Sequence, residues 1–131
     1  MIHSSAVWAA GPGDNELAEA TQSENAGNYQ ESEKKYREAI EKFKINKRDL
    51  TLSFALDVLG NLYFTQNQLD KAVDAYKNAV DIRKIVLARG TDDAGAPLSA
   101  PVHKSVQNDL GLAMMALGSV YTRQTEYEKV C

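Results

Sequence analysis

The order of apolar and polar residues along the chain predicts five helices separated by short turns. Within each segment, apolar or small residues recur every three or four positions, as on the buried face of an amphipathic helix. The predicted helices cover residues 14–25, 29–45, about 49–66, 69–89 and about 101–123. The pattern therefore predicts an all-α chain.

Capping and turn residues place the ends of these helices. Asp14 is predicted as the N-cap of the first helix, and Gly90 ends the fourth, where glycine can take a left-handed backbone. Residues 90–100 are rich in glycine, proline and small polar residues without periodicity, which predicts a loop. We further predict a turn at Thr125, after which residues 126–131 begin another helix.

The fifth helix carries an apolar ridge along its length, formed by Val106, Leu110, Met114, Leu117 and Tyr121. The few residues after the predicted turn are too short to cover this ridge. We therefore expect the side bearing Val106, Leu110 and Met114 to form a C-terminal interface, covered by another protein chain, by a second copy or by further sequence of the same protein. Of these we prefer another chain, in a permanent complex.

A short phrase occurs twice in the chain. Residues 58–64 read VLGNLYF and residues 116–122 read ALGSVYT, so leucine and glycine are followed by two residues and a tyrosine in both. Such self-similarity indicates one local unit copied along the chain.

The residues around this phrase follow a longer pattern of apolar, glycine, tyrosine, alanine, aromatic and alanine positions. They are Leu56, Leu59, Gly60, Tyr63, Ala72, Tyr76 and Ala79 in the second helix pair, and Met114, Leu117, Gly118 and Tyr121 in the fifth helix. This pattern resembles the tetratricopeptide repeat, a pair of antiparallel helices. The resemblance implies repeats at about 14–46 and 49–90 and an incomplete one at 101–131, stacked as a right-handed superhelix. It also implies a non-enzymatic scaffold or adaptor that binds proteins, such as a structural or assembly subunit of a larger complex.

The spacing of the repeats refines the resemblance. Gly60 and Gly118 are 58 residues apart, against about 34 for the ordinary repeat. The run NAVDIRKIVLARG resembles the extended second helix of kinesin-light-chain-type repeats. The first pair matches less well, and only Ala20 keeps the small side chain expected at the glycine position.

The resemblance also implies a binding groove, because the first helix of each pair lines the concave face of such arrays. The groove candidates are Leu17, Phe54, Asp57, Val58, Asn61, Phe64, Leu112, Met115 and Ser119. The groove is mainly apolar, and it lacks the lysine, arginine and asparagine clamp with which some family members hold acidic chaperone tails. The alternative is that these apolar side chains pack inside the fold, and Phe64 discriminates best between the two.

The sequence contains few residues that could form a catalytic, metal or cofactor site. The two histidines, His3 and His103, have no nucleophile or carboxylate in a recognisable motif beside them. No phosphate-binding glycine loop or metal-ligand spacing occurs. We therefore predict no catalytic residues, no metal and no cofactor; an enzyme with an unrecognised pocket is the rival hypothesis.

Composition is that of an ordinary folded protein, with 44% hydrophobic and 25% charged residues and a net charge of -3. The acidic balance argues against nucleic acid, which leaves an RNA-binding helical repeat as a weaker alternative. Some bases of the run at 34–48 follow a carboxylate by four residues, as Arg37 follows Glu33, which predicts a solvated helix face with ion pairs.

The remaining features concern location. No apolar run reaches the roughly 20 residues of a membrane span, so we expect a soluble intracellular or organellar protein, or a peripheral one held through partners. The single cysteine, Cys131, cannot form an internal disulfide. Residues 1–13 are predicted as a flexible arm, in which Val7, Trp8 and Ala9 resemble the end of a targeting peptide removed upstream of about Ala10.

Overall fold

A computed structural model describes residues 11–130, and all regular elements in this part of the chain are helices. The helices are α1 (Asp14–Asn25), α2 (Tyr29–Ile45), α3 (Asp49–Thr65), α4 (Leu69–Arg89) and α5 (Ala100–Val130). The predicted all-α class is confirmed. Most of the predicted arm, with His3 and Trp8, and Cys131 lie outside the described residues.

The chain divides into two compact units, one ending at Arg48 and the other beginning at Asp49. In the first unit, α1 packs against α2. Ala20 is fully buried, and its carbonyl accepts a hydrogen bond of 2.8 Å from the Ser32 hydroxyl. The Tyr36 hydroxyl donates to Glu24 Oε1 at 2.6 Å. Ala20 thus lies where the two helices come close, as its small side chain predicts.

The start of α1 differs from the prediction. Gly13, with a left-handed φ of 98°, is the N-cap, and Asp14 is the first helical residue. The Asp14 carboxylate instead accepts a hydrogen bond of 2.5 Å from the Gly11 N–H and pairs with Arg48 at 2.8 Å. The prediction of Asp14 as the N-cap is wrong because its side chain turns back to the preceding segment and to Arg48.

The basic face of α2 is a network of exposed ion pairs. Arg37 pairs with Glu33 at 3.0 Å, as the spacing predicts. Lys35 reaches Glu19 of α1 at 3.2 Å. Such solvated pairs contribute little stability, so this face of α2 is a charged surface exposed to solvent.

In the second unit, α3 packs against α4, and α4 packs against α5. Gly60 lies where α3 and α4 cross, and the ring of Tyr76 fills the space beside it. The Tyr76 hydroxyl donates to Asn61 Oδ1. The core around this crossing consists of Leu52, Ala55, Leu56, Leu59, Leu62, Tyr63, Ala72, Ala75, Ala79, Val80 and Val86.

The loop after α4 folds back onto the start of α3. Gly90 ends α4 with a φ of 74°, as predicted. The Asp92 carboxylate accepts hydrogen bonds from the Ala94 and Ala96 N–H groups at 3.0 and 2.8 Å. Asp93 Oδ1 accepts from the Leu50 N–H at 3.1 Å. The loop thereby satisfies a backbone donor in the first turn of α3.

Helix α5 continues without interruption to Val130, so the predicted turn at Thr125 and the new helix after it are wrong. The Thr125 hydroxyl donates to the Tyr121 carbonyl at 2.9 Å, within the helix. Gln124 Nε2 donates to Asp70 Oδ1 at 2.9 Å, and Asn67 Nδ2 donates to the Tyr127 hydroxyl at 2.7 Å. These contacts tie the last turns of α5 to the α3–α4 connection.

The buried face of α5 also differs from the predicted ridge. Val106, Ala113 and Val120, each seven residues apart, are buried, whereas Met114 is 51% and Tyr121 46% exposed. The prediction that Val106 lies on an exposed C-terminal interface is wrong, because Val106 belongs to the core of this unit.

Candidate partner-binding groove

The end of α3 and the second half of α5 enclose an open groove with a volume of about 650 Å³. Its walls are formed by Phe64, Met115, Gly118, Ser119, Thr122, Arg123 and Glu126. Phe64, Met115 and Ser119 are three of the residues predicted for a partner groove, and the structure brings them together. We call this surface the α3/α5 groove.

Phe64 forms the apolar wall of the α3/α5 groove. The Arg123 guanidinium carbon lies 4.0 Å from the centroid of the Phe64 ring, a cation–π contact. Phe64 is half-buried, and Met115 opposite it is 70% exposed. The groove therefore offers an aromatic ring and a flexible thioether side chain, with Arg123 and Glu126 supplying charges of both signs.

The other groove candidates lie elsewhere. Phe54 and Leu112 are 53% and 63% exposed, but neither lines the α3/α5 groove. Val58 is half-buried. Asn61 Oδ1 accepts a hydrogen bond from the Tyr76 hydroxyl. Leu17 is half-buried and belongs to the first unit.

Asp57 was predicted for the groove but forms a largely buried ion pair. Its Oδ2 accepts a hydrogen bond of 2.5 Å from Arg83, whose side chain is 3% exposed. Arg83 also donates to the Asp109 carbonyl at 3.5 Å. Burial raises the pKa of Asp57, an effect that the Arg83 guanidinium opposes. Asp57 therefore links α3 to α4, while Arg83 reaches on to α5.

The spacing of this pair explains why the sequence does not predict it. Asp57 and Arg83 are 26 residues apart on different helices, and only a known helix register brings them together. The one sign of a buried ion pair in the sequence is Arg83 itself, which lies within the apolar stripe of α4, since arginine is rarely buried without a partner.

A second open surface lies between α4 and α5, with a volume of about 410 Å³. Its walls are formed by Lys77, Val80, Asp81, Lys84, Met114, Leu117, Gly118 and Tyr121. Of the three residues predicted for a C-terminal interface, Met114 lines this surface, and Leu110 is half-buried. We call it the outer face of α5.

Neither surface has the donor set of a metal site. Across residues 11–130, no three His, Cys, Asp or Glu side chains come together as metal ligands would. His103 lies in the first turn of α5, where its backbone N–H donates to the Ser99 carbonyl at 2.8 Å. No helix in this same stretch is long and apolar enough to cross a membrane.

Consecutive helices that pack in pairs, with a small residue at the crossing, are typical of helical-repeat proteins. The tetratricopeptide repeat family model matches residues 14–85, which include α1 to α3 and most of α4. The chain belongs to the tetratricopeptide repeat family. No curated protein and no solved structure matches it.

Proposed function

We propose that this chain is a non-enzymatic scaffold that holds a segment of a partner protein in the α3/α5 groove, as a subunit of a larger complex. Tetratricopeptide repeats generally mediate protein–protein interactions, which supports the general role. The observation that carries the proposal is the exposed apolar surface of this groove, in which Met115 is 70% exposed and Phe64 is half-buried. Grouped exposed apolar side chains mark interaction sites.

The groove suggests what the partner segment looks like. An apolar side chain of the segment fits between the Phe64 ring and Met115, because both present apolar atoms. Arg123 and Glu126 at the wall can bind a carboxylate and a basic or backbone donor of the same segment. A short peptide with one apolar anchor and flanking polar residues satisfies these groups.

We also propose the repeat boundaries 14–46, 49–90 and 101–131 and the long-repeat subgroup similar to kinesin-light-chain repeats. The 21 residues of α4, against 17 in α2, support an extended second helix. The net charge of -3 supports protein rather than nucleic-acid partners.

Copurification with matched variants tests the proposed role. The tagged chain and its Met115→Asp variant are expressed in the native source, and the bound proteins are identified. Ile85→Asp is the control, since Ile85 is 60% exposed on α4 and lines neither surface. We expect Met115→Asp to lose a partner that the other two chains retain. The same bound proteins with all three chains would contradict the proposal.

A further inference from the structure

Helix α5 repeats α3 with a step of 58 residues, but the two helices differ in what covers them. The equivalent positions are Leu56 and Met114, Leu59 and Leu117, Gly60 and Gly118, and Tyr63 and Tyr121. Every member of this set on α3 is buried, and none of those on α5 is. Tyr63 is 3% exposed, for example, whereas Tyr121 is 46% exposed.

The two glycines show the difference at atomic detail. A Cβ atom added to Gly60 would lie 2.8 Å from Tyr76 Cε1, whereas a Cβ added to Gly118 would meet nothing within 4 Å. On α3, the aromatic ring of the following helix fills the notch that the glycine leaves. On α5, the same notch is open.

We propose that the outer face of α5 binds one helix of a partner protein, antiparallel to α5, with an aromatic ring seated on Gly118. The packing of α4 on α3 is the template within this molecule: Ala72, Tyr76 and Ala79 are buried there, with Tyr76 against Gly60. The inference rests on the proposed scaffold role and specifies the partner for a second surface of it.

A further detail of the template applies to the ring hydroxyl. Tyr76 donates its hydroxyl to Asn61, the residue after Gly60. The residue after Gly118 is Ser119, whose side chain is exposed. Ser119 lies at the border with the α3/α5 groove, and its hydroxyl donates to the Met115 carbonyl at 3.3 Å. Its oxygen can still accept a hydrogen bond from a tyrosine of the bound helix, which favours tyrosine over phenylalanine at this place.

The charged residues on the α4 side of the surface indicate which charges the partner helix carries. Lys77 and Lys84, seven residues apart and therefore about two turns apart, line one edge with Asp81 between them. A bound helix antiparallel to α5 runs alongside this edge. Acidic side chains on that side of the helix would pair with the two lysines, so we infer an amphipathic helix with a small–aromatic–small stripe and an acidic flank.

The chain supplies its own probe. A labelled synthetic peptide of residues 66–90, the α4 segment, carries the stripe of Ala72, Tyr76 and Ala79. We expect it to bind the whole chain saturably, with about tenfold or greater loss of affinity when Tyr76 in the peptide is replaced by alanine.

Variants of the whole chain locate the binding. Gly118→Leu and Tyr121→Ala are expected to weaken peptide binding about tenfold or more, while Ser105→Leu, an exposed site on another side of α5, leaves it unchanged. Phe64→Ala is also expected to leave it unchanged, which separates this surface from the α3/α5 groove. Circular dichroism of each variant establishes that α5 is intact.

Three results would overturn the proposal. The first is that binding of the peptide to the chain does not saturate up to about 1 mM. The second is that the Gly118→Leu variant binds the peptide with the same affinity as the parent chain. The third is a dimer of the chain alone that Gly118→Leu dissociates, which would assign this face to a second copy. Loss of the copurified partner in Met115→Asp with no peptide binding would uphold the scaffold role and reject this inference alone.

Discussion

The ring of Tyr76 occupies the space that a side chain at Gly60 would need, since a Cβ there would lie 2.8 Å from the ring carbon Cε1. The Tyr76 hydroxyl is held by Asn61, one residue further along α3. The ring therefore cannot swing aside without losing this part-buried hydrogen bond, and the contact with Gly60 sets the distance between α3 and α4.

Gly60→Leu is expected to lower the free energy of unfolding by about 1–3 kcal/mol, because overpacking outweighs the gain in helix propensity. Gly118→Leu is the matched control and should cost no stability, since the notch there is open. Lys77→Ala serves as a surface reference. Urea unfolding decides the matter, and equal effects at Gly60 and Gly118 would refute the assigned crossing.

Arg83→Leu is expected to destabilise the second unit by about 3 kcal/mol, because it leaves the Asp57 carboxylate without its partner. Replacing both Asp57 and Arg83 by leucine removes both charges and should restore much of the loss. Denaturant unfolding of the two variants tests this. A double variant no more stable than Arg83→Leu would mean that the pair matters for packing alone.

Alkaline stability follows from two buried tyrosines. Burial raises the pKa of Tyr36 and Tyr76 from 10 to about 12; the hydrogen bond to Glu24 adds to the effect at Tyr36 and the charge of Asp57 at Tyr76. A raised folded-state pKa gives stability that is complete below pH 10 and is lost toward pH 12, because the unfolded chain deprotonates first. We expect the free energy of unfolding to fall over this range.

Tyr76→Phe should reduce the steepness of this alkaline decline. The free energy of unfolding of the variant and of the parent chain is measured with urea at the same pH values, and the two pH slopes are compared. An identical pH slope for the two chains would show that Tyr76 ionises equally in the folded and unfolded states.

Thr125→Pro is expected to break α5 and lower its helix content. Proline at this position clashes with the carbonyl of Tyr121, the group that the Thr125 hydroxyl now contacts. It should also release the Asn67–Tyr127 hydrogen bond. Circular dichroism compares it with Thr125→Ala, which should keep the helix; a proline variant with unchanged ellipticity would place a turn here after all.

The sequence predicted the helices well where local signals are strong. The bounds of α1, α2 and α4 agree with the prediction, because glycine and polar turns punctuate them. The end of α5 was missed because threonine is compatible with both a turn and a helix. Its course is decided by Asp70 and Asn67 from distant parts of the chain, which no local pattern contains.

The prediction of the site was less accurate because the sequence does not show which side of α5 is buried. Helix α5 has two apolar sides, and periodicity selected the side with larger residues, such as Met114 and Tyr121. The side that is buried uses Ala113 and Val120, whose smaller side chains stand out less in the pattern. Phe64, Met115 and Ser119 line one groove, because the repeated phrase fixes how α3 corresponds to α5; their role in binding a partner stays a prediction.

Phe64→Ala is expected to weaken binding of the copurified partner about tenfold or more while leaving helix content unchanged. Phe64 is half-buried under Arg123 at the groove wall. Removing its ring should therefore remove contacts in the groove and leave the core packing largely unchanged. Titration of the identified partner and circular dichroism measure the two effects. Cooperative unfolding in the absence of partner would instead assign Phe64 to the core.

Hydroxyl-radical footprinting, on the chain alone and on the assembly recovered from its native source, tests the central claim most directly. The account predicts strong labelling of Met114 and Met115 in the isolated chain, where they are 51% and 70% exposed. It predicts their protection in the assembly, while Ile45 and Ile85, exposed at 72% and 60%, stay labelled in both. Equal labelling of Met114 and Met115 in the two samples would contradict the account.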